Sequence, residues 1–146
     1  MAVLVSRYNE IVTTRLLEGA RQCFREKDVP EARVDVIWVP GAFELAVAAE
    51  AAAASGRYAA LVALGCVIRG ETPHFEYVAG EAARGLGNVA LGHRLPVGFG
   101  VLTTEDLEQA LARAGGAAGN KGYEAADAAL TTADVLAQLT RAAPRD

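Results

Sequence analysis

The densest concentration of groups able to do chemistry is the run Gly65-Cys66-Val67-Ile68-Arg69-Gly70-Glu71-Thr72-Pro73-His74-Phe75. An apolar stretch passes there into a polar loop and then into a helical pattern, which sets His74 and several free backbone N–H groups at one strand end. A histidine gives and takes protons near neutral pH, and a helix N-terminus with unpaired N–H groups favours an anion. An active site at this loop is the leading expectation. The competing role for His74 is to cap the helix or bond the loop.

Other groups hold comparable positions. Tyr8 and Asn9 directly follow the first apolar run, and Glu44 follows Pro40-Gly41-Ala42-Phe43 in the first turn after the second. Glu44 either caps a helix or accepts hydrogen bonds from a polyol. Arg69 either clamps a phosphate or pairs with a carboxylate such as Glu71. Arg113 closes a helix just before a Gly-rich stretch, where a cation is also what a helix C-terminus prefers. Tyr8 and Phe99 are either core aromatics or flat surfaces for a ring. An open sheet brings the ends of its strands to one edge, which would gather the groups that follow the first three strands. His93, within Gly92-His93-Arg94, reads as a surface residue.

The elements that must position these groups alternate. Val3 to Val5 is a short buried strand, followed by a helix with Leu16, Leu17, Ala20, Cys23 and Phe24 on one face, capped by Thr13 or Thr14. Val34 to Val39 is the second strand, and an alanine-rich second helix runs through Ala54, with Gly56 placed to end it. That helix has small side chains throughout, which reflects either helix propensity or close packing between subunits. Tyr58 to Leu64 is the third strand. Phe75, Val78, Ala79, Ala82 and Leu86 recur at the helical period in a third helix over His74 to Leu91. Val97 to Leu102 is the fourth strand. Thr103 and Asp106 form a capping box for helix four, with Leu107, Ala110, Leu111 and Ala114 facing inward. The loop Gly115 to Gly122 leads to a last helix bearing Ala126, Ala129, Leu130, Ala133 and Ala137, and Arg141 to Asp146 is a loose tail. Strand–helix alternation implies right-handed crossovers and a four-stranded parallel sheet covered on both faces, a three-layer αβα, doubly wound, flavodoxin-like arrangement.

Bulk properties narrow the classes. A chain of 146 residues fits one domain, 1–146, and at that size buries roughly 70% of the surface its unfolded form exposes. With 52% hydrophobic and 22% charged residues, no apolar run reaches a membrane span. No basic start with an apolar stretch and cleavage site is evident, so the expected location is cytoplasmic. The formal charge of −4, with scattered cations, provides no footprint for nucleic acid. Cys23 reads as core and Cys66 as packing, and two distant cysteines argue against zinc fingers and disulfide scaffolds. Gly115, Gly116, Gly119 and Gly122 follow a helix and not a strand, which excludes a dinucleotide fingerprint.

Five segments, in order, resemble the lumazine synthase family: Arg7-Tyr8-Asn9, Val39 to Leu45, Gly65 to Phe75, Phe99 to Glu105, and Ala118-Gly119-Asn120-Lys121-Gly122. The likeness covers nearly the whole chain. It implies a transferase of riboflavin biosynthesis that condenses 5-amino-6-(D-ribitylamino)uracil with 3,4-dihydroxy-2-butanone 4-phosphate. The products are 6,7-dimethyl-8-ribityllumazine, inorganic phosphate and water, formed without metal or organic cofactor. By the same resemblance Tyr8 stacks on the pyrimidine with Asn9 beside it, Ala42, Phe43 and Glu44 hold the ribityl chain, and Cys66, Val67 and Ile68 contact the ring. Glu71 and Thr72 match the butanone-phosphate loop, and His74 the proton-transfer residue. Phe99, Arg113 and Lys121 match groups supplied by the neighbouring subunit, Arg113 as phosphate ligand.

The resemblance also implies a homo-oligomer, a pentamer at least. Two departures bear on it. Glu71 stands where many relatives have a small residue, so its side chain should point away from the phosphate while its backbone N–H binds. The chain starts directly at the first core strand, without the extension that in many relatives adds a strand to an adjacent subunit, which counts against a closed sixty-subunit shell. Two alternatives stay open: a riboflavin synthase of the related archaeal type, and a noncatalytic flavin- or lumazine-binding oligomer.

Overall fold

A computed structural model of the protein describes residues 1–141. Strands β1 (Ala2–Ser6), β2 (Asp35–Val39), β3 (Leu61–Ile68) and β4 (Val97–Thr104) alternate with helices α1 (Glu10–Glu26), α2 (Leu45–Ala54), α3 (His74–His93) and α4 (Leu107–Ala112). A short hairpin, β5 (Ala114–Gly116) and β6 (Gly119–Asn120), then leads into α5 (Lys121–Arg141). The four main strands form one parallel sheet in the order β2-β1-β3-β4. This is the expected flavodoxin-like, three-layer arrangement.

Both faces are covered, so the centres of the strands are apolar at successive positions and not at alternate ones. Val3, Val5, Val62 and Leu64 point to the face covered by α1 and α5, where they pack with Leu16, Ala20, Ala126 and Ala129. Ala2, Leu4, Leu61 and Ala63 point to the opposite face and pack with Leu45, Ala49, Leu86 and Val89 from α2 and α3. The alanines of α2 let it lie close to α3. Gly122 is required where α5 meets α1, because a Cβ there would overlap the carbonyl oxygen of Leu16. Gly56 ends α2 as expected, in a left-handed conformation with φ of 70°.

Several boundaries differ from the expected ones. β3 begins at Leu61 and continues to Ile68, so Gly65 to Ile68 belongs to the strand and not to the loop. The reason is β4, which pairs along its whole length and carries β3 on through Ile68 opposite Thr104. α1 starts at Glu10 after Asn9, and Thr13 is no cap: it is buried in the helix and its hydroxyl donates to the Ser6 carbonyl at 2.7 Å. α4 is capped by Asp106, which accepts from the Gln109 N–H at 2.8 Å, while Thr103 remains in β4. The Gln109 Oε1 in turn accepts from the Glu105 N–H at 2.9 Å. Leu107 is exposed and not inward-facing, and Ala114 lies past the helix in β5. The glycine-rich stretch is in part the β5–β6 hairpin. Arg141 closes α5, and the rest of the expected tail falls outside the described residues. Among the described residues, no helix is long and apolar enough to cross a membrane.

Candidate active site

In a sheet of this order the chain leaves β1 toward β2 on one side and reaches β3 on the other, so a crevice opens between the carboxyl ends of β1 and β3. Asn9 spans it. Its backbone is left-handed, with φ of 61°, a conformation asparagine tolerates better than most residues. Its Nδ2 donates to the Cys66 carbonyl at 2.9 Å and so ties the exit of β1 to the end of β3. The Arg7 and Tyr8 N–H groups donate to the Val39 and Pro40 carbonyls at 2.8 and 3.0 Å, which holds Tyr8 beside the end of β2. Tyr8 itself is 73% exposed, an aromatic face left open at the strand ends.

The cleft formed there has a volume of about 660 Å³. Tyr8, Ala42, Phe43, Glu44, Cys66, Val67, Ile68, Thr72 and His74 all line it. The structure thus gathers nine of the residues singled out from sequence, from the ends of three strands and the start of α3. Glu44 makes no side-chain capping bond to α2, and its Oε1 lies over Gly41. The capping alternative for Glu44 is therefore not what is seen. No side chain caps α3 either, and of its first-turn N–H groups that of Glu76 donates to the Pro73 carbonyl at 3.0 Å. Glu71 is exposed and does not line the cleft, although Gly70 and Thr72 on either side of it do.

The electrostatics of the cleft are one-sided. Among the described residues that line it there is a carboxylate and a histidine but no lysine or arginine. Arg69, next to the cleft, does not line it but stacks on Phe75, which does. It does not pair with Glu71: its Nε lies 3.0 Å from a Glu105 carboxylate oxygen, and its guanidinium carbon sits 4.7 Å from the centre of the Phe75 ring. The Cys66 thiol is buried, and burial pushes its pKa up to about 11. At neutral pH it is a protonated wall of the cleft and no nucleophile.

Phe99, Arg113 and Lys121 are not brought to this cleft. Phe99 and Lys121 line a separate groove of about 600 Å³ along the open edge of β4, with Leu91, Arg94 and Leu136. Arg113 is exposed after α4, its Nη1 donating to the Gln109 carbonyl at 3.0 Å, and the Lys121 N–H donates to the Arg113 carbonyl at 2.8 Å. His93 is on the surface as expected, with Nε2 2.9 Å from Glu50. Sequence reasoning missed Gly41, Gly70, Phe75, Tyr77 and Val78 as lining residues. Tyr77 and Val78 follow His74 at i+3 and i+4, a spacing that carries a lining side down a helix face.

Fold and cleft define a flavodoxin-like α/β protein with an open cleft at the point where the strand order reverses. The comparison with known families makes this specific: the family model described as 6,7-dimethyl-8-ribityllumazine synthase matches residues 1–137. The chain belongs to the 6,7-dimethyl-8-ribityllumazine synthase family, transferases that form a lumazine in riboflavin biosynthesis.

Proposed function

We propose that the protein condenses 5-amino-6-(D-ribitylamino)uracil with 3,4-dihydroxy-2-butanone 4-phosphate to 6,7-dimethyl-8-ribityllumazine, releasing phosphate and water, in an assembly of at least five copies. The observation that carries this reading is the convergence of Tyr8, Glu44, Thr72 and His74 on one cleft. Tyr8 stacks on the pyrimidine, and Asn9 fixes the strand ends beneath it. The main chain of Ala42 and Phe43 and the Glu44 carboxylate receive the ribityl hydroxyls. Cys66, Val67 and Ile68 contact the ring from the end of β3.

The ketone and the ring amine form an imine with loss of water, phosphate leaves by β-elimination, and the second carbonyl closes the ring with loss of a further water. His74 moves protons in these steps. Thr72 and the backbone N–H of Glu71 hold the butanone phosphate at the uncapped start of α3, with the Glu71 side chain directed outward. Holding two small reactants in one orientation carries much of the rate.

A phosphate in this cleft needs a cation that the cleft's own lining residues do not include. The exposed Arg113 and Lys121, with Phe99 on the open β4 edge, meet that need from an adjoining copy, which is why the proposed unit is an oligomer. Purified protein mixed with both substrates is expected to produce lumazine absorbance and one phosphate per product. No product above the spontaneous background would refute the reading, and tight riboflavin binding without turnover would replace it with a noncatalytic carrier.

A further inference from the structure

The loop from Gly70 to Pro73 carries two of the cleft's lining residues, yet little holds it. Among the described residues, no side-chain hydrogen bond reaches residues 70–73, no side chain caps the helix that follows, and a Cβ at Gly70 would meet nothing within 4 Å. What brackets the loop is Arg69. Its N–H donates to the Thr104 carbonyl at 2.8 Å, which continues the β3–β4 ladder by one bond. Its Nε lies 3.1 and 3.0 Å from the two oxygens of Glu105, just past the end of β4. Its guanidinium then covers the Phe75 ring at 4.7 Å, with Nη1 4.0 Å from Glu76. One side chain therefore crosses from the residue before the loop to the first turn after it and is itself anchored on β4.

We propose that Arg69, through Glu105 and Phe75, is the positioning residue for the Gly70–His74 loop and so sets the affinity for the phosphorylated substrate. This rests on the reading that the loop receives that substrate. A lone exposed ion pair contributes little, but here one guanidinium meets both Glu105 oxygens through its Nε–H and also stacks on the Phe75 ring. A lysine cannot reproduce both, because it has no planar group to lie on the ring while an N–H meets the carboxylate.

Arg69→Ala is expected to raise amide hydrogen exchange at Glu76 to Val78, the first bonded amides of α3, where the Glu76 N–H donates to the Pro73 carbonyl at 3.0 Å, by about tenfold and to raise KM for the butanone phosphate by a similar factor. KM for the ribityl pyrimidine, whose contacts lie on β1, β2 and β3, should stay within about twofold of the parent on this account. Glu105→Gln should act in the same direction, Arg69→Lys should recover only part of the loss, and the effects of Arg69→Ala and Glu105→Gln should fall short of additive. Unchanged exchange in Arg69→Ala, equal increases in both KM values, or full additivity would overturn the proposal. The exchange measurement needs no turnover, so a catalytically silent parent would refute the functional reading while leaving the anchoring of the loop separately decided.

Discussion

At the scale of single residues, the chemistry separates into groups that the chain brings together by itself and groups it leaves apart. Tyr8, Glu44 and His74 were ambiguous singly and legible as neighbours, because each follows a strand or opens a helix at the carboxyl edge of a parallel sheet. Arg69 was ambiguous in sequence. Glu71 is two positions away, but the nearer partner in space is Glu105, reached through the β3–β4 pairing that no local pattern displays. Arg113→Ala should raise KM for the butanone phosphate about 10- to 100-fold, the loss of one charge-assisted bond, with binding of a ribityl-pyrimidine analogue unchanged. Steady-state kinetics beside calorimetry of the analogue checks this, and equal losses would remove Arg113 from phosphate binding. Cys66 offers a pH test. Its folded pKa of about 11 lies above the ordinary thiol value of 9.0, so the folded state retains a proton that the unfolded chain releases. Its contribution to stability is thus full below pH 9.0 and is lost as pH rises toward about 11. Thiol labelling at pH 8 should be slow in the folded protein and fast in denaturant; rapid labelling of Cys66 in the folded state would contradict the buried position.

At the scale of elements, the alternation of strand and helix was readable because period and composition change together at each junction. The errors fall at ends. Gly65 looked like a stop, yet a glycine inside a doubly covered strand marks close approach: Leu45 and the Ser6 hydroxyl crowd the place its Cβ would occupy, at 3.2 and 3.3 Å. Thr13 looked like a cap, yet its hydroxyl is used on the Ser6 carbonyl, and the turn before α1 is made by the left-handed Asn9. The hairpin β5–β6 was hidden because glycines carry no side-chain periodicity. The junction of α1 and α5 provides the test at this scale. Gly122→Ala forces a methyl against the Leu16 carbonyl and should destabilise the fold by about 1–3 kcal/mol. A lower denaturation midpoint with unchanged slope is the expected result, and an unchanged midpoint would show that α5 lies farther from α1.

At the scale of the whole molecule, what remains exposed matters as much as what is buried. Leu91 is 82% exposed and Phe99 42% exposed beside the open edge of β4, an apolar strip of the kind that marks an interface. Along the chain Leu91 already stands off the period of Ala82, Leu86 and Val89, about 140° round the helix from Leu86, but only the placed helix shows that it lies beside the edge of β4. On the proposed arrangement, one copy's cleft meets the next copy's Phe99, Arg113 and Lys121 in a head-to-tail contact that closes into a ring. Every site then takes its two halves from different chains. The most direct test unfolds and co-refolds two impaired variants in equal amounts, one altered in the cleft by Tyr8→Ala with Glu44→Ala, the other by Arg113→Ala, and assays them at a butanone phosphate concentration well below the KM of the Arg113→Ala variant. Random mixing should restore intact sites at about a quarter of the wild-type number, because a sound cleft meets a sound neighbour with that frequency in a head-to-tail ring. Recovery of lumazine formation to that level is the expected result; a mixture no more active than the mean of its two parents would contradict a site shared between copies.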